Sequence, residues 1–347
     1  MEFASDNAAG VAPIILDALV RANAGFAIAY GDDTATQRLE RRFSELFERD
    51  VAVFLVTTGT AANALALAHL SPPWGAVLCH AEAHAIAHEC GAPEFFGGGL
   101  RLLGIEGEGG KLQPQAVAAA LDRHFGLRPH QLVPGVLSLT QASEFGTIYR
   151  TDEVAALAAL AHDRGMMVHM DGARFANALA RLGVTPAEAS WRAGVDALCF
   201  GATKGGALAA EAVVFFDAGL AREFEFRRKR GGHLVSKMRL LSAQLDAYFS
   251  DGLWLDNARH ANAMARRLVA GLTPLKGTQL LYPVHANEIF VVLPAAMHHA
   301  LQEAGAQYHP WQSDRPGERA YRLVTAFDTR PADVDQFLSI AKAACTS

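Results

Sequence analysis

"DALCFGATKGG" (residues 196–206) sets a short apolar run against a loop of small residues that carries one lysine. The run reads as a buried strand ending at Phe200, and Lys204 stands just beyond it between Gly201, Ala202, Gly205 and Gly206. In open α/β sheets, ligands collect beyond the carboxyl ends of strands. Small neighbours there let a flat ligand approach a lysine closely. Taken alone, such a lysine reads as a solvated loop residue, so the surrounding chain has to decide.

Upstream, the strand "MMVHMD" ends at Asp171 and runs into "DGARFANA". A carboxylate at a strand end beside a glycine can accept a proton-bearing ring nitrogen, and Arg174 can bond a phenolate or carboxylate with a fork of donors. The plainer alternative is a helix cap and a surface arginine. Further upstream, "VTTGTAAN" places Gly59 and Thr60 at the start of a helix, where free N–H groups and the helix dipole suit a phosphate. It is no nucleotide P-loop, because no G-K-[ST] follows; "GEGGKL" (107–112) fails the same test at Ile105 and Leu112.

These pieces lie in a regular alternation. "VAVFLV" (51–56), "GAVLC" (75–79), "LVPGVLSLT" (132–140), "MMVHMD" (166–171), "ALCF" (197–200) and "AVVFF" (212–216) read as strands, with helical stretches such as "TDEVAALAALAHDRG" (151–165) between them. Continuous apolar strands joined by helices indicate a sheet buried on both faces. The expected architecture is α/β: an N-terminal arm (1–14), a large domain with a mostly parallel sheet (15 to about 240) and a smaller C-terminal α+β domain (241–347). One long helical stretch, Leu240 to Leu272, leads into that last part, followed by "NEIFVVLP", "AYRLVTAF" and a closing helix from Asp333.

Composition narrows the function classes. With 51% apolar and 19% charged residues and a net charge of −5, the chain has the balance of a soluble globular protein and no reason to bind nucleic acid or anionic membranes. No apolar run is long enough to cross a bilayer. "MEFASDNAAG" lacks the basic start of a secretory signal, and Cys79, Cys90, Cys199 and Cys345 are scattered. A cytoplasmic enzyme with reduced thiols is the reading. "CHAEAHAIAHEC" (79–90) spaces His80, His84 and His88 four apart, on one face if helical. Such pairs supply two zinc ligands; nothing else completes a familiar zinc spacing, so no metal is expected. His80 and His88 read as partly exposed histidines, with Glu82 and Glu89 as hydrogen-bonding or surface acids.

A phosphate at a helix start, an acid for a ring nitrogen and a lysine for a Schiff base together are what pyridoxal 5'-phosphate requires. Through "FASDN", "AYGDD", "GTAAN", "AHAIAHECGAPEFF", "HMDGARFANA", "FGATKGG" and "YRLVTAFDT", in that order, the chain resembles the threonine aldolases, fold type I pyridoxal-phosphate enzymes related to the β-eliminating lyases. The resemblance implies that Lys204 binds the cofactor's aldehyde, Asp171 pairs with its ring nitrogen, and Gly59, Thr60 and Thr203 hold its phosphate. It places His84 at the ring face, Arg174 at the ring oxygen or the substrate carboxylate, and Ser5 and Arg322 at that carboxylate. It also implies a homodimer or homotetramer in which a neighbour completes each site, with Tyr30 and the basic "RRKRGGH" (227–233) as residues that reach across. For the basic run a solvated helix end is the plainer reading.

The implied reaction is retro-aldol cleavage of a 3-hydroxy amino acid such as L-threonine or L-allo-threonine to glycine and an aldehyde. His84 could act on the hydroxyl, directly or through a water. Many family members carry a second histidine in the loop after the strand matching "VLSLT"; this chain has "TQASEFGTIY" (140–149), leaving Gln141, Ser143 or Glu144 to shape that side. Gly205 also stands where an asparagine is frequent. A phenylserine aldolase, a β-eliminating lyase, a transaminase and a binding protein on the same fold remain as alternatives.

Overall fold

A computed structural model describes residues 1–312 and 319–346. The larger sheet has seven strands: β1 (Ala52–Val56), β2 (Gly75–His80), β3 (Arg101–Ile105), β4 (Val133–Thr140), β5 (Met167–Gly172), β6 (Ala197–Gly201) and β7 (Glu211–Phe215), in the order β1-β7-β6-β5-β4-β2-β3. The strands β2 to β6 pair in parallel. β7 runs antiparallel to both of its neighbours, β6 and β1.

Successive residues of the inner strands enter different cores, which is why these strands read as unbroken apolar runs. Leu198 and Val214 pack with Val154, Leu157 and Ala161 of the helix Thr151–Asp163. Cys199 and Val213 pack on the other face with Ala61, Ala62 and Leu65 of the helix Gly59–Leu70. β3 was not anticipated from the sequence. It is an edge strand, with exposed Arg101 and Gly104 interrupting its apolar residues, so its pattern carries little strand signal.

A second, antiparallel sheet comprises β8 (Gln279–Leu280), β9 (Glu288–Val292), β10 (His309–Trp311) and β11 (Ala320–Val324), in the order β10-β11-β9-β8. The helical stretch expected from Leu240 to Leu272 is two helices, Arg239–Phe249 and Leu253–Leu272. The backbone enters the left-handed region at Asp251 (φ 52°) and Gly252 (φ 74°), which ends one helix and restarts the chain in a new direction. Nor do His80, His84 and His88 share a helix: His80 ends β2, and the helical turn after it spans only His84–Ala87. Among the described residues, no helix is long and apolar enough to cross a membrane.

The N-terminal arm is pinned to the second sheet. Phe3 N–H donates to Gln307 O and Phe3 O accepts from Val324 N–H, each at 2.8 Å. The Phe3 ring is fully buried, edge-on to Phe337 at 5.3 Å. From this anchor, residues 5–8 pass to the carboxyl edge of the larger sheet. Phe3→Ala should cost about 3–5 kcal/mol by cavity formation, read as a lower denaturation midpoint in urea.

Candidate active site

β1, β2, β4, β5 and β6 point the same way, so the loops that follow them converge on one edge of the sheet. β7 runs the other way, and its first residue, Glu211, therefore arrives at that same edge, opposite Gly201 and Val56. Between these loops lies a cavity of about 340 Å³. Of the residues expected from the sequence, it brings together Gly59, Thr60, His84, Asp171, Arg174, Thr203 and Lys204. Ser5, Tyr30 and Arg322 do not line it.

At one end the helix Gly59–Leu70 begins. Thr58 caps it by accepting from Ala61 N–H at 3.1 Å. The first N–H groups of a helix have no partner within it, and Gly59 and Thr60 both face the cavity. An anion is the complement of such a wall. Thr57 Oγ1 hydrogen-bonds His233 Nδ1 at 3.0 Å, which brings the end of the basic run beside this wall. Within that run Lys229 and Arg230 are exposed, whereas Arg227 and Arg228 are half-buried and Arg228 lies over the Phe54 ring.

The floor holds a connected set of polar groups. Asp171 is nearly buried; Oδ1 accepts from Ala173 N–H at 2.9 Å and Oδ2 from Asn63 Nδ2 at 2.7 Å. Asn63 Nδ2 also donates to Glu89 Oε1 at 2.9 Å, and the same oxygen accepts from His84 Nδ1 at 2.9 Å. That hydrogen bond raises the His84 pKa against the opposing effect of burial. Burial raises the Glu89 pKa. Lys204 follows β6 in a single 3-10 turn, Thr203–Gly205. A Cβ at Gly205 would meet the Tyr248 phenol, which would have to shift to admit it. The Glu211 carboxylate accepts from Thr203 N–H at 3.3 Å. Burial pushes its pKa up to about 7, although Lys204 opposes the rise.

Arg174 meets the arm and the second sheet. Its Nε and a terminal nitrogen donate to the two oxygens of Asp6 at 2.7 and 2.9 Å, and its other terminal nitrogen lies 3.0 Å from Glu288 of β9. Asn287 adds a 3.0 Å hydrogen bond to Asp6. Burial by itself would raise the Asp6 pKa, but the charges of Arg174 and Lys204 and these hydrogen bonds hold it below the usual range. Ser5 accepts from Asn7 N–H at 3.1 Å, shaping the turn that puts Asn7 on the cavity wall. Arg322 donates to Ala4 O at 3.3 Å, and its buried Nε has no partner among the described residues. Tyr30 is exposed, with Lys229 over its ring at 5.1 Å.

The loop after β4 divides. Gln141 exchanges two hydrogen bonds with the Tyr149 backbone, and Ser143 bonds Gly109 O and Thr147, so both serve the loop itself. Glu144 lines the cavity. His80, expected to be partly exposed, is buried: Nε2–H donates to Gly107 O and Nδ1 accepts from Glu82 N–H, which satisfies a neutral ring. Both bonds are to main chain, a kind of partner that histidine spacing does not reveal. His88 and Glu82 are exposed and Glu89 is buried.

Taken together, the donor set suits a flat ligand with an anionic end at Gly59–Thr60 and a protonated ring nitrogen at Asp171, within reach of an amine. Asp6, Asn7, Asn63, Glu211 and Glu288 belong to this arrangement but were not singled out from the sequence, whereas Glu89, read as a hydrogen-bonding or surface acid, is the former. Asp6, Asn7 and Asn63 lie inside the motifs "FASDN" and "GTAAN"; Glu211 and Glu288 only begin strands and carry no local signal. Because the folded Glu211 pKa lies above its ordinary 4.5, the stability it contributes is full below pH 4.5 and is lost as pH rises through about 7. Glu211→Gln should therefore flatten the decline of Tm over that window in cofactor-free protein, measured by calorimetry.

Comparison with known proteins gives the family. The family model for beta-eliminating lyases matches residues 2–296. The low specificity L-threonine aldolase of a Pseudomonas species is 42% identical over 342 residues, covering 99% of this chain and 97% of that protein. The enzyme of the same description from Pseudomonas aeruginosa is 43% identical over 342 residues, covering 98% and 96%. A solved threonine aldolase structure from Leishmania major superposes with a TM-score of 0.93 at 28% identity, covering 99% of this chain and 98% of that one. The chain belongs to the beta-eliminating lyase family and groups within it with the threonine aldolases.

Proposed function

We propose that this protein is a pyridoxal-phosphate-dependent aldolase that cleaves L-threonine, L-allo-threonine and related 3-hydroxy amino acids to glycine and an aldehyde. The observation that carries the reading is that Lys204 and Asp171 face one cavity whose far wall is an open helix start. When bound, pyridoxal phosphate supplies a ring system that takes up the electron pair of a bond breaking at Cα. Lys204 would hold the cofactor through its aldehyde. Asp171, oriented by Ala173 N–H and Asn63, keeps a proton on the ring nitrogen. Gly59, Thr60 and Thr203 hold the phosphate, and His84 covers the ring face.

The substrate carboxylate is assigned to Arg322, whose Nε has no partner among the described residues, with Ser5 beside Ala4. Arg174 already balances Asp6 and Glu288, so it suits a hydrogen bond to the ring oxygen better than neutralisation of a second carboxylate. Holding the carboxylate selects which Cα bond stands perpendicular to the ring, and so which bond breaks. Exposed Ile14, Leu16, Val20, Phe26, Ile28 and Tyr30 lie within a short stretch of chain. An apolar face of this kind supports a homo-oligomer, which light scattering should show as a dimer or tetramer.

The purified protein should be yellow and bleach with borohydride. Lys204→Ala should keep its circular dichroism but lose the colour and all turnover. Acetaldehyde and glycine released from both threonine diastereomers is the expected result; pyruvate and ammonia would instead indicate elimination.

A further inference from the structure

Glu144 is the one acid of the 140–149 loop that reaches the cavity, and its surroundings are unusual for a structural carboxylate. Oε1 accepts two hydrogen bonds, from His84 N–H at 2.8 Å and from Thr140 Oγ1 at 2.9 Å. Oε2 is buried and has no hydrogen-bond partner among the described residues. No cation pairs with Glu144 among the described residues, in contrast to Asp6 and Glu288, which share Arg174. The groups around it are Asp171, whose charge opposes its ionisation, and Arg174, already matched by two acids. Cys79 and Tyr149 are kept neutral by burial, and the His84 ring is tied to Glu89.

We propose that the Glu144 carboxylate accepts the substrate's β-hydroxyl proton during cleavage, an assignment that rests on the aldolase reading above. In that step the hydroxyl O–H bond breaks and a carboxyl O–H bond forms on Glu144. The C–O bond becomes the aldehyde carbonyl as the Cα–Cβ bond breaks, and the cofactor, when bound, would supply the acceptor for that electron pair. The proton lost from the hydroxyl is matched by the proton that Cα gains in glycine, so no further reactant is needed. Burial pushes the Glu144 pKa up to about 7, which suits a group that must take and return a proton near neutrality. His84 differs, because its hydrogen bond to Glu89 favours the protonated ring. Glu144 also holds the short turn that carries His84, a turn whose own N-cap, Ala83, has no side chain to cap it. The two duties can be separated, since Glu144→Gln keeps an acceptor for His84 N–H and Thr140 but cannot take a proton.

The experiment compares wild type and E144Q, both loaded with cofactor, in two reactions. One is aldehyde release from L-threonine or L-allo-threonine; the other is exchange of the glycine α-proton in D2O, which involves no hydroxyl. E144Q should lower kcat for cleavage about 10²–10⁴-fold and abolish the rise of kcat/KM with pH through about 7, while glycine exchange falls far less. In cofactor-free protein, infrared titration should show a carboxylic-acid band near that pH losing intensity in E144Q, with the remainder assigned to Glu211. Cleavage within a few-fold of wild type, an equal fall in both reactions, or an unchanged infrared titration would each overturn the proposal. A wild type that neither exchanges glycine nor releases aldehyde would instead overturn the aldolase reading itself.

Discussion

Arg174 donates to both oxygens of Asp6 and lies 3.0 Å from Glu288. One guanidinium thus joins the N-terminal arm, the end of β5 and the start of β9. A buried cation is tolerable only when its charge and its donors are met, and here two carboxylates meet them. Asn287 adds a further donor to Asp6. Departure of the arm would take Asp6 away and leave two Arg174 donors unmet, and Phe3 with its hydrogen bonds holds the preceding residues on the second sheet. Asn7 reaches the cavity only by way of this anchored arm.

The rest of the cavity follows from strand direction. Parallel strands deliver the residues after β1, β2, β4, β5 and β6 to one edge, and the reversal of β7 adds the residue that begins a strand. Asp171 is oriented by its own loop and by a helix that packs over it, through Ala173 N–H and Asn63. Asn63 then connects that acid to Glu89 and His84 in one hydrogen-bonded path.

The charges in this small volume are arranged in opposition. Arg174 is fully balanced, while Glu144 and Glu211 are buried acids whose pKa values are pushed to about 7. Groups so shifted are what a site needs to move protons near neutrality. The same shifts oppose stability, since each acid would ionise more readily in the unfolded chain than in the folded one.

Much of this was legible in the amino-acid order. The apolar runs marked six of the seven strands of the larger sheet, because strands covered on both faces cannot alternate. Lys204, Asp171 and the Gly59–Thr60 turn stood at strand ends, where local pattern suffices to place them at a ligand edge. The sequence could not show the edge strand β3, the break at Asp251–Gly252, or the burial of His80 against main-chain partners. Nor could it show that Glu211 faces the cavity or that Glu288 meets Arg174, because the first depends on the direction in which β7 pairs and the second on how the second sheet packs against the loop after β5. Composition, periodicity and motif determined the sheet and the chemistry-bearing loops. Strand direction, the anchored arm and the burial of particular carboxylates were decided by tertiary packing, since each depends on contacts between segments far apart in the chain.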